Sequence, residues 1–347
     1  IKDDEGLTRP ELSVLMAYSK MDLYNNLISS EMPDEPGLDS YLVDYFPKLL
    51  QEKMMPEIKD HPLRREIITT VLTNEMINRM GLSFIYRLRN ETGYQDDTIA
   101  RAFVVVKELY GLEEEWQRID NLGHKVSAVT QLKMLDVMRR LCEHACLWFL
   151  RHGHTPLRIQ EQVKVFKPVI GKLVTKLPDN MTASMAKHFK RRNRQWQKLG
   201  LSEEDARHTA LAQSLYALQD IAQTVISTGK DPEAVMKLHF CVGEQLEMEV
   251  LHAKARAMPS KNYWERVANQ AIIDSLYGYQ KEAAMQAIGL KNGKNNQSVP
   301  DTMKKWQGLK KHELVTFKDM VKELQCQEHT DHAMLNVVIG HLKTITS

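Results

Sequence analysis

A chain of 347 residues, 43% hydrophobic and 27% charged, has the balance of a folded polypeptide and enough length for two or three cores, which excludes intrinsic disorder. Its 47 Lys plus Arg against 45 Asp plus Glu leave a formal charge of +2, too little for the whole molecule to seek nucleic acid or an anionic membrane. The four cysteines, Cys142, Cys146, Cys241 and Cys326, cannot form a disulfide scaffold, so a reducing, cytoplasmic setting is expected. No apolar run approaches the roughly 20 residues of a bilayer crossing, and a soluble protein is expected. The opening Ile1-Lys2-Asp3-Asp4-Glu5-Gly6, polar and without an initiator methionine, reads as the start of a piece from a longer polypeptide.

Helical periodicity dominates. Thr8-Arg9-Pro10-Glu11 is a helix start in which the threonine and glutamate can satisfy each other's backbone and proline tolerates the first turn. Leu12, Leu15, Met16, Leu23 and Leu27 then line one predicted face until Pro33 and Pro36. A short helical stretch is expected over Tyr41–Met54, interrupted at Pro47. His61-Pro62-Leu63 opens a helix carrying Ile67, Ile68, Val71, Leu72 and Met76 up to Gly81, a natural C-terminal cap. Further helices are predicted over Ser83–Glu91, Asp97–Tyr110, Glu113–Asn121 and Val126–Arg151, the last with Leu132, Leu135, Met138, Leu141, Ala145 and Trp148 at threes and fours. Thr155-Pro156 caps the next, which Pro168 should kink or split.

The pattern pauses at Leu177-Pro178-Asp179-Asn180, where a subdomain boundary is expected. Helices then follow over Thr182–Leu199, Ser202–Thr228, Asp231–Ala257 and Lys261–Ile288. Gly289–Pro300 reads as a flexible polar loop, and Thr302–Leu324 and His332–Ile345 close the chain. Strand signals are nearly absent and no repeat of 30–45 residues is evident. The expected fold is all-α, an irregular multi-helix bundle array in two helical subdomains, 1–178 and 179–347, with no nucleotide-binding fold.

Chemistry-bearing motifs are sparse. The chain has no glycine-rich strand-to-helix turn and no phosphate loop. Cys142-x-His144-x-Cys146 resembles a metal motif, but on a helix the thiols share the apolar face while His144 points away, so small buried hydrophobes are the better reading. Cys326-x2-His329-x2-His332 sits at a helix junction and offers three ligand types, without an evident fourth; no metal site is assigned. His188-Phe189-Lys190-Arg191-Arg192-Asn193-Arg194-Gln195-Trp196-Gln197-Lys198 mixes bases and aromatics as a nucleic-acid surface would. Phe189 and Trp196 are seven apart and fall on one side with cations spread around the rest, which favours a solvated helix anchored by two aromatics. Asn74 and Asn78, four apart in an apolar helix and followed by Arg79, read as buried amides that need partners. Glu247, Glu249 and Asp274 supply carboxylates without a placeable acid–base pair.

The string Gly6-Leu7-Thr8-Arg9-Pro10-Glu11-Leu12-Ser13-Val14-Leu15-Met16-Ala17-Tyr18-Ser19-Lys20 closely resembles the large bacterial NAD-specific glutamate dehydrogenases, in which it follows the nucleotide-binding domain. The likeness continues at His61-Pro62-Leu63-Arg64-Arg65-Glu66-Ile67-Ile68, Asn74, Asn78-Arg79, Gly81, Thr92-Gly93, Arg101-Ala102, Arg139-Arg140 and Trp148-Phe149-Leu150-Arg151. It is looser at Gly200-Leu201-Ser202-Glu203-Glu204-Asp205-Ala206 and Trp264-Glu265-Arg266-Val267-Ala268.

The resemblance implies the C-terminal helical region of a very large, cytoplasmic, oligomeric enzyme that oxidises L-glutamate with NAD to 2-oxoglutarate and ammonia. The family's catalytic lysine and aspartate and its glycine-rich cofactor turn lie upstream, and no position here matches them. No catalytic, cofactor-binding or metal residue is therefore carried over; NAD belongs to the parent enzyme, and this region alone is expected to be inactive. Its expected partners are the upstream catalytic domain and other copies of the enzyme, not a membrane. Arg9, Arg64, Arg65, Asn74, Asn78 and Arg79 are the candidate interdomain contacts, and structural support, oligomer contact or regulation is the expected role. The alternative from another class is an independent helical adaptor that binds nucleic acid through residues 187–198.

Overall fold

Every regular element among the described residues of the computed structural model is helical, and no strand occurs among them. Those residues are 6–153, 156–260, 262–290 and 298–346. Among these residues the fold is all-α and contains no nucleotide-binding fold. In chain order the α-helices are α1 Arg9–Ile28, α2 Asp39–Val43, α3 Lys48–Lys53, α4 Met55–Lys59, α5 Arg64–Met80, α6 Phe84–Thr92, α7 Asp96–Tyr110, α8 Leu112–Asp120, α9 Ala128–His152 and α10 Ile159–Lys176. They continue as α11 Ala183–Lys198, α12 Glu203–Ala212, α13 Leu218–Thr228, α14 Pro232–Gln245, α15 Met248–Ala257, α16 Tyr263–Gly289, α17 Val299–Leu309, α18 Lys311–Cys326 and α19 His332–Thr346. They group into two compact units, one of Ile1–Pro168 and Trp196–Tyr216, the other of Val169–Gln195 and Ala217–Ser347.

The first unit is organised on α7 and α9, which pack on each other. Ile99, Ala100, Ala102, Phe103, Val104, Val105 and Val106 are all buried, so α7 is apolar around most of its circumference, as an interior helix must be. Phe103 stacks on Trp116 with ring centroids 6.2 Å apart and meets Phe84 edge-on at 6.3 Å. Helix α5 buries Ile68, Leu72 and Met76 and carries α1 and α2. At the end of α9, Trp148 packs against Phe149 and Phe166 at 5.1 and 5.9 Å.

In the second unit α16 touches α14, α15, α17 and α19, and α18 lies on α19. The α14–α16 approach is close because Gly243 has no side chain: a Cβ there would stand 2.3 Å from Gln280 Nε2. Ala283, Ala284 and Ala287 are buried further along α16.

Several sequence expectations need correction. The predicted α1 stripe holds only at its C-terminal end: Leu23 and Leu27 are buried, whereas Leu12, Leu15 and Met16 are exposed. On α9 Leu132 is also exposed; Met134 and Val137 are buried in its place. The predicted stretch Tyr41–Met54 is interrupted at Pro47 as expected, with α2 before it and α3, N-capped by Pro47, after it; the short helix α4 that follows is the addition. Ser202–Thr228 is two helices, because the chain turns at Ser214–Ala217, where the His144 ring stacks on Tyr216 at 4.9 Å and its Nε2 lies 3.1 Å from the Tyr216 carbonyl. Asp231–Ala257 is split by Glu247, whose φ of 49° is left-handed, a conformation rare for a residue with a side chain. Thr302–Leu324 is also two helices, joined at Lys310, and the first of them starts earlier because Ser298 caps Val299 and Pro300 into it.

Helix α10 is not split at Pro168, although the boundary between the units falls there. The expected pause at 177–180 is a single 3-10 turn, Pro178–Asn180, within the second unit. The proposed cap at Thr155, the polar opening Ile1–Glu5, Lys261 and most of the 289–300 loop lie outside the described residues.

Trp148 is 6% exposed, and deleting its ring leaves a cavity that neighbours cannot fill. Trp148→Ala is predicted to cost about 3–5 kcal/mol of unfolding free energy, measured by denaturant titration of the chain followed by circular dichroism.

Candidate functional site

The candidate contact residues resolve into different environments. Arg64 Nη1 donates to the Pro33 carbonyl at 3.1 Å and Nη2 to Asp39 at 2.8 Å. Arg65 Nη2 donates to the carbonyls of Ile28 and Ser30 at 2.9 and 3.0 Å, and Nη1 pairs with Asp34. These two arginines, at the start of α5, thus cap the carbonyl end of α1 and fix the turn after it, where helices leave acceptors unsatisfied. Arg79 pairs with Asp120 at 2.8 Å and lies over the Trp116 ring at 5.2 Å. Asn74 is half-buried, but Asn78 is exposed, as is Arg9. The burying face of α5 runs through Ile68, Leu72, Thr73, Met76, Ile77 and Met80, and Asn74 and Asn78 occupy the other side. Asn78 is therefore not the buried amide expected from sequence.

Around α7 the structure assembles charges that sequence reasoning missed. Asp96, 3% exposed, accepts from Arg89 Nε at 2.9 Å and from Asn26 Nδ2 at 2.8 Å. Arg101 reaches Asp97 at 2.6 Å and Glu35 at 3.3 Å, and Glu35 in turn accepts from the Ile159 amide at 3.1 Å. Lys107 Nζ is 3.0 Å from Glu75 and 4.1 Å above the ring of Tyr41, whose hydroxyl donates to Glu75 at 2.7 Å. Burial lifts the Glu75 carboxyl above its ordinary range although Lys107 opposes it, and burial with the adjacent Glu75 pushes the Tyr41 phenol well up. Perturbed groups of this kind often mark active sites. Here, each is satisfied by the other two, the arrangement of a structural tie. The signal in sequence is faint: the partners of Asp96 and Arg101 lie up to 70 residues away.

Cys142 and Cys146 share a buried face with sulfurs 4.0 Å apart, and burial, with Cys142 alongside, holds the Cys146 thiol well above its ordinary range; these are packing residues rather than reactive thiolates. Cys326 and His329 are exposed and His332 is half-buried. Among the described residues no group of three or more metal-ligating side chains converges.

In α11, Phe189 is half-buried and Trp196 buried, as the sequence predicts. The cations are not evenly spread: Lys187, Lys190, Arg191 and Arg194 are exposed at one helical face, Arg192 is half-buried, and His188 lies 3.0 Å from Glu249. With both aromatics turned inward, the exposed face offers no ring on which a base could stack.

The second unit holds a further buried polar group. His239 is 1% exposed on α14, its carbonyl accepts from Gln280 Nε2 at 3.1 Å, and Asp220 and Lys281 pair nearby at 3.6 Å. Burial lowers its pKa to about 4, with Lys281 adding to this and Asp220 opposing it.

Among the described residues the fold is an all-α helical array, without a nucleotide-binding fold. The family model described as "Glutamate dehydrogenase, C-terminal" matches residues 4–344, and the chain belongs to that family. It is similar to the NAD-specific glutamate dehydrogenase of Pseudomonas aeruginosa, 33% identical over 339 residues, which cover 97% of this chain and 21% of that protein. The NAD-specific glutamate dehydrogenase of Halomonas elongata is 29% identical over 84% of the chain and 18% of its own length. That of Mycobacterium tuberculosis is 25% identical over 98% of the chain and 21% of its own length. The chain thus spans about a fifth of the length of the curated relatives it matches.

Two predictions follow from the buried groups. Lys107→Met strands the Glu75 carboxyl and is predicted to cost about 3 kcal/mol, most of it regained in Glu75→Gln/Lys107→Met; equilibrium unfolding of the three proteins checks this. A histidine buried neutral binds fewer protons folded than unfolded, so its contribution is complete above about pH 6.5 and is lost as pH falls toward 4. Over that window His239 is predicted to remove about 3 kcal/mol of stability, and His239→Gln to flatten that part of the profile, read from urea titrations across pH.

Proposed function

We propose that this chain is a non-catalytic helical region of an NAD-dependent glutamate dehydrogenase, acting as a support for the enzyme's catalytic part and for contacts between its subunits. The parent reaction in this reading is oxidation of L-glutamate with NAD to 2-oxoglutarate and ammonia, in the cytoplasm, with NAD held by the catalytic part. The observation that carries the reading is the pairing inside the first unit: Arg64, Arg65, Arg79, Arg89, Arg101 and Lys107 each tie one helix of the unit to another element. Such cross-ties hold helices in a fixed arrangement. A rigid body attached to a two-domain dehydrogenase can bias the closure of its cleft, which in hydride-transfer enzymes assembles the reacting groups and excludes water.

No specific observation favours the nucleic-acid alternative. The test of the support reading uses the isolated chain, predicted to fold with high helicity, to show no heat of NAD binding at micromolar concentrations, and to form no NADH from glutamate. Saturable NAD binding or turnover by the isolated chain would overturn it.

A further inference from the structure

The first turns of α1 hold a run of apolar side chains to solvent. From Leu12 to Ser19 the helix carries no charged side chain, yet every residue from Glu11 to Tyr18 is exposed. Leu12, Val14, Leu15, Met16 and Tyr18 are 41, 56, 44, 40 and 67% exposed, and Met21, a turn further on, 59%. At about 100° per residue these six side chains spread over roughly 220° of the helix circumference. A helix lying on its own core needs an apolar stripe of only about 100°.

This end of the helix is well anchored. Glu11 accepts from the amide and hydroxyl of Thr8 at 2.7 and 2.6 Å, and those bonds hold its carboxyl below the ordinary range. Leu23 and Leu27, 2 and 0% exposed, seat the other end on the unit, where α1 packs against α5 and α7. A capped and anchored helix therefore holds a wide apolar arc to water, bounded by Arg9 and Glu11 at one end and by Lys20 and Asp22 at the other.

We propose that residues 9–21 form a peg that seats in a concave apolar groove on the catalytic part of the same enzyme polypeptide. This rests on the reading in the preceding section. The relatives extend over about four fifths of their length beyond the matched region, which leaves most of the enzyme's surface on the part this chain does not span. In the longer enzyme the peg and its groove would belong to one polypeptide, so docking is intramolecular and favoured by a high effective concentration. The breadth of the arc selects this occupant over a second copy of the peg: two convex helices paired about a two-fold axis cover one stripe each and leave the rest in water. Ion pairs from Arg9, Glu11, Lys20 and Asp22 would form the polar rim.

Hydrogen exchange on the longer enzyme and on the isolated chain tests the peg directly. The amides of Leu12–Tyr18 are expected to exchange at least about a hundredfold more slowly in the longer enzyme, with Leu23–Leu27 similar in both. In the longer enzyme, Leu15→Asp/Tyr18→Asp is expected to return Leu12–Tyr18 to the fast rate while leaving Leu23–Leu27 unchanged, as suits a substitution of exposed residues. Equal exchange in the two wild-type proteins overturns the proposal. So does sedimentation showing that the isolated chain dimerises and that the double variant abolishes the dimer, since the occupant is then a second copy. Failure of the underlying reading shows separately, as NADH formation by the isolated chain, which the exchange comparison does not measure.

Discussion

Helix α7 can be buried in the first unit because Asp96, Arg101 and Lys107 along it each meet a partner from a different element. Asp96 at its first turn is held by α6 and α1, through Arg89 and Asn26. Arg101 in its middle is held through Glu35, which also binds the first amide of α10. Lys107 near its end is held by Glu75 of α5 and Tyr41 of α2. A buried ion pair adds little net stability, since desolvation offsets attraction, but removing one partner leaves an uncompensated charge. The ties therefore act on arrangement: any sliding of α7 by one residue parts all three sets at once. That constraint fixes the register of α7 within the first unit, which is the basis of the supporting role proposed above.

The second unit reaches its packing by other means. Gly243 and the alanines of α16 let backbones approach, and a neutral His239 and the Gln280 amide fill the space that remains. The relatives' names speak of NAD and glutamate, and the chain matches about a fifth of each.

Much of the helical architecture is legible from period and capping residues alone. Ser127, Asp231 and Ser298 cap helices through their side chains, and Gly81, Gly93, Gly111 and Gly229 end them at positive φ. What period cannot report is which apolar face finds a partner within the chain. Leu12 and Leu23 read alike in sequence; one is exposed and the other buried, because the N-terminal turns of α1 extend beyond the helices that cover its other end. Breaks were missed where no glycine or proline marks them, at Ser214–Ala217, Leu246–Glu247 and Lys310, since tertiary contacts rather than local propensity turn the chain there. The ionic ties were invisible for a related reason: Asn26 and Asp96 are 70 residues apart, and only the fold makes them neighbours. The family, in contrast, is readable from the strings at 6–20 and 61–68, the second of which holds Arg65, the arginine that ties α5 to the end of α1.

The most direct test removes this region from the longer enzyme and supplies it again as a separate chain. If the region supports the catalytic part, the shortened enzyme loses most of its glutamate-dependent NADH formation and recovers it when the isolated chain is added. Undiminished turnover by the shortened enzyme, with no response to the added chain, would contradict the account.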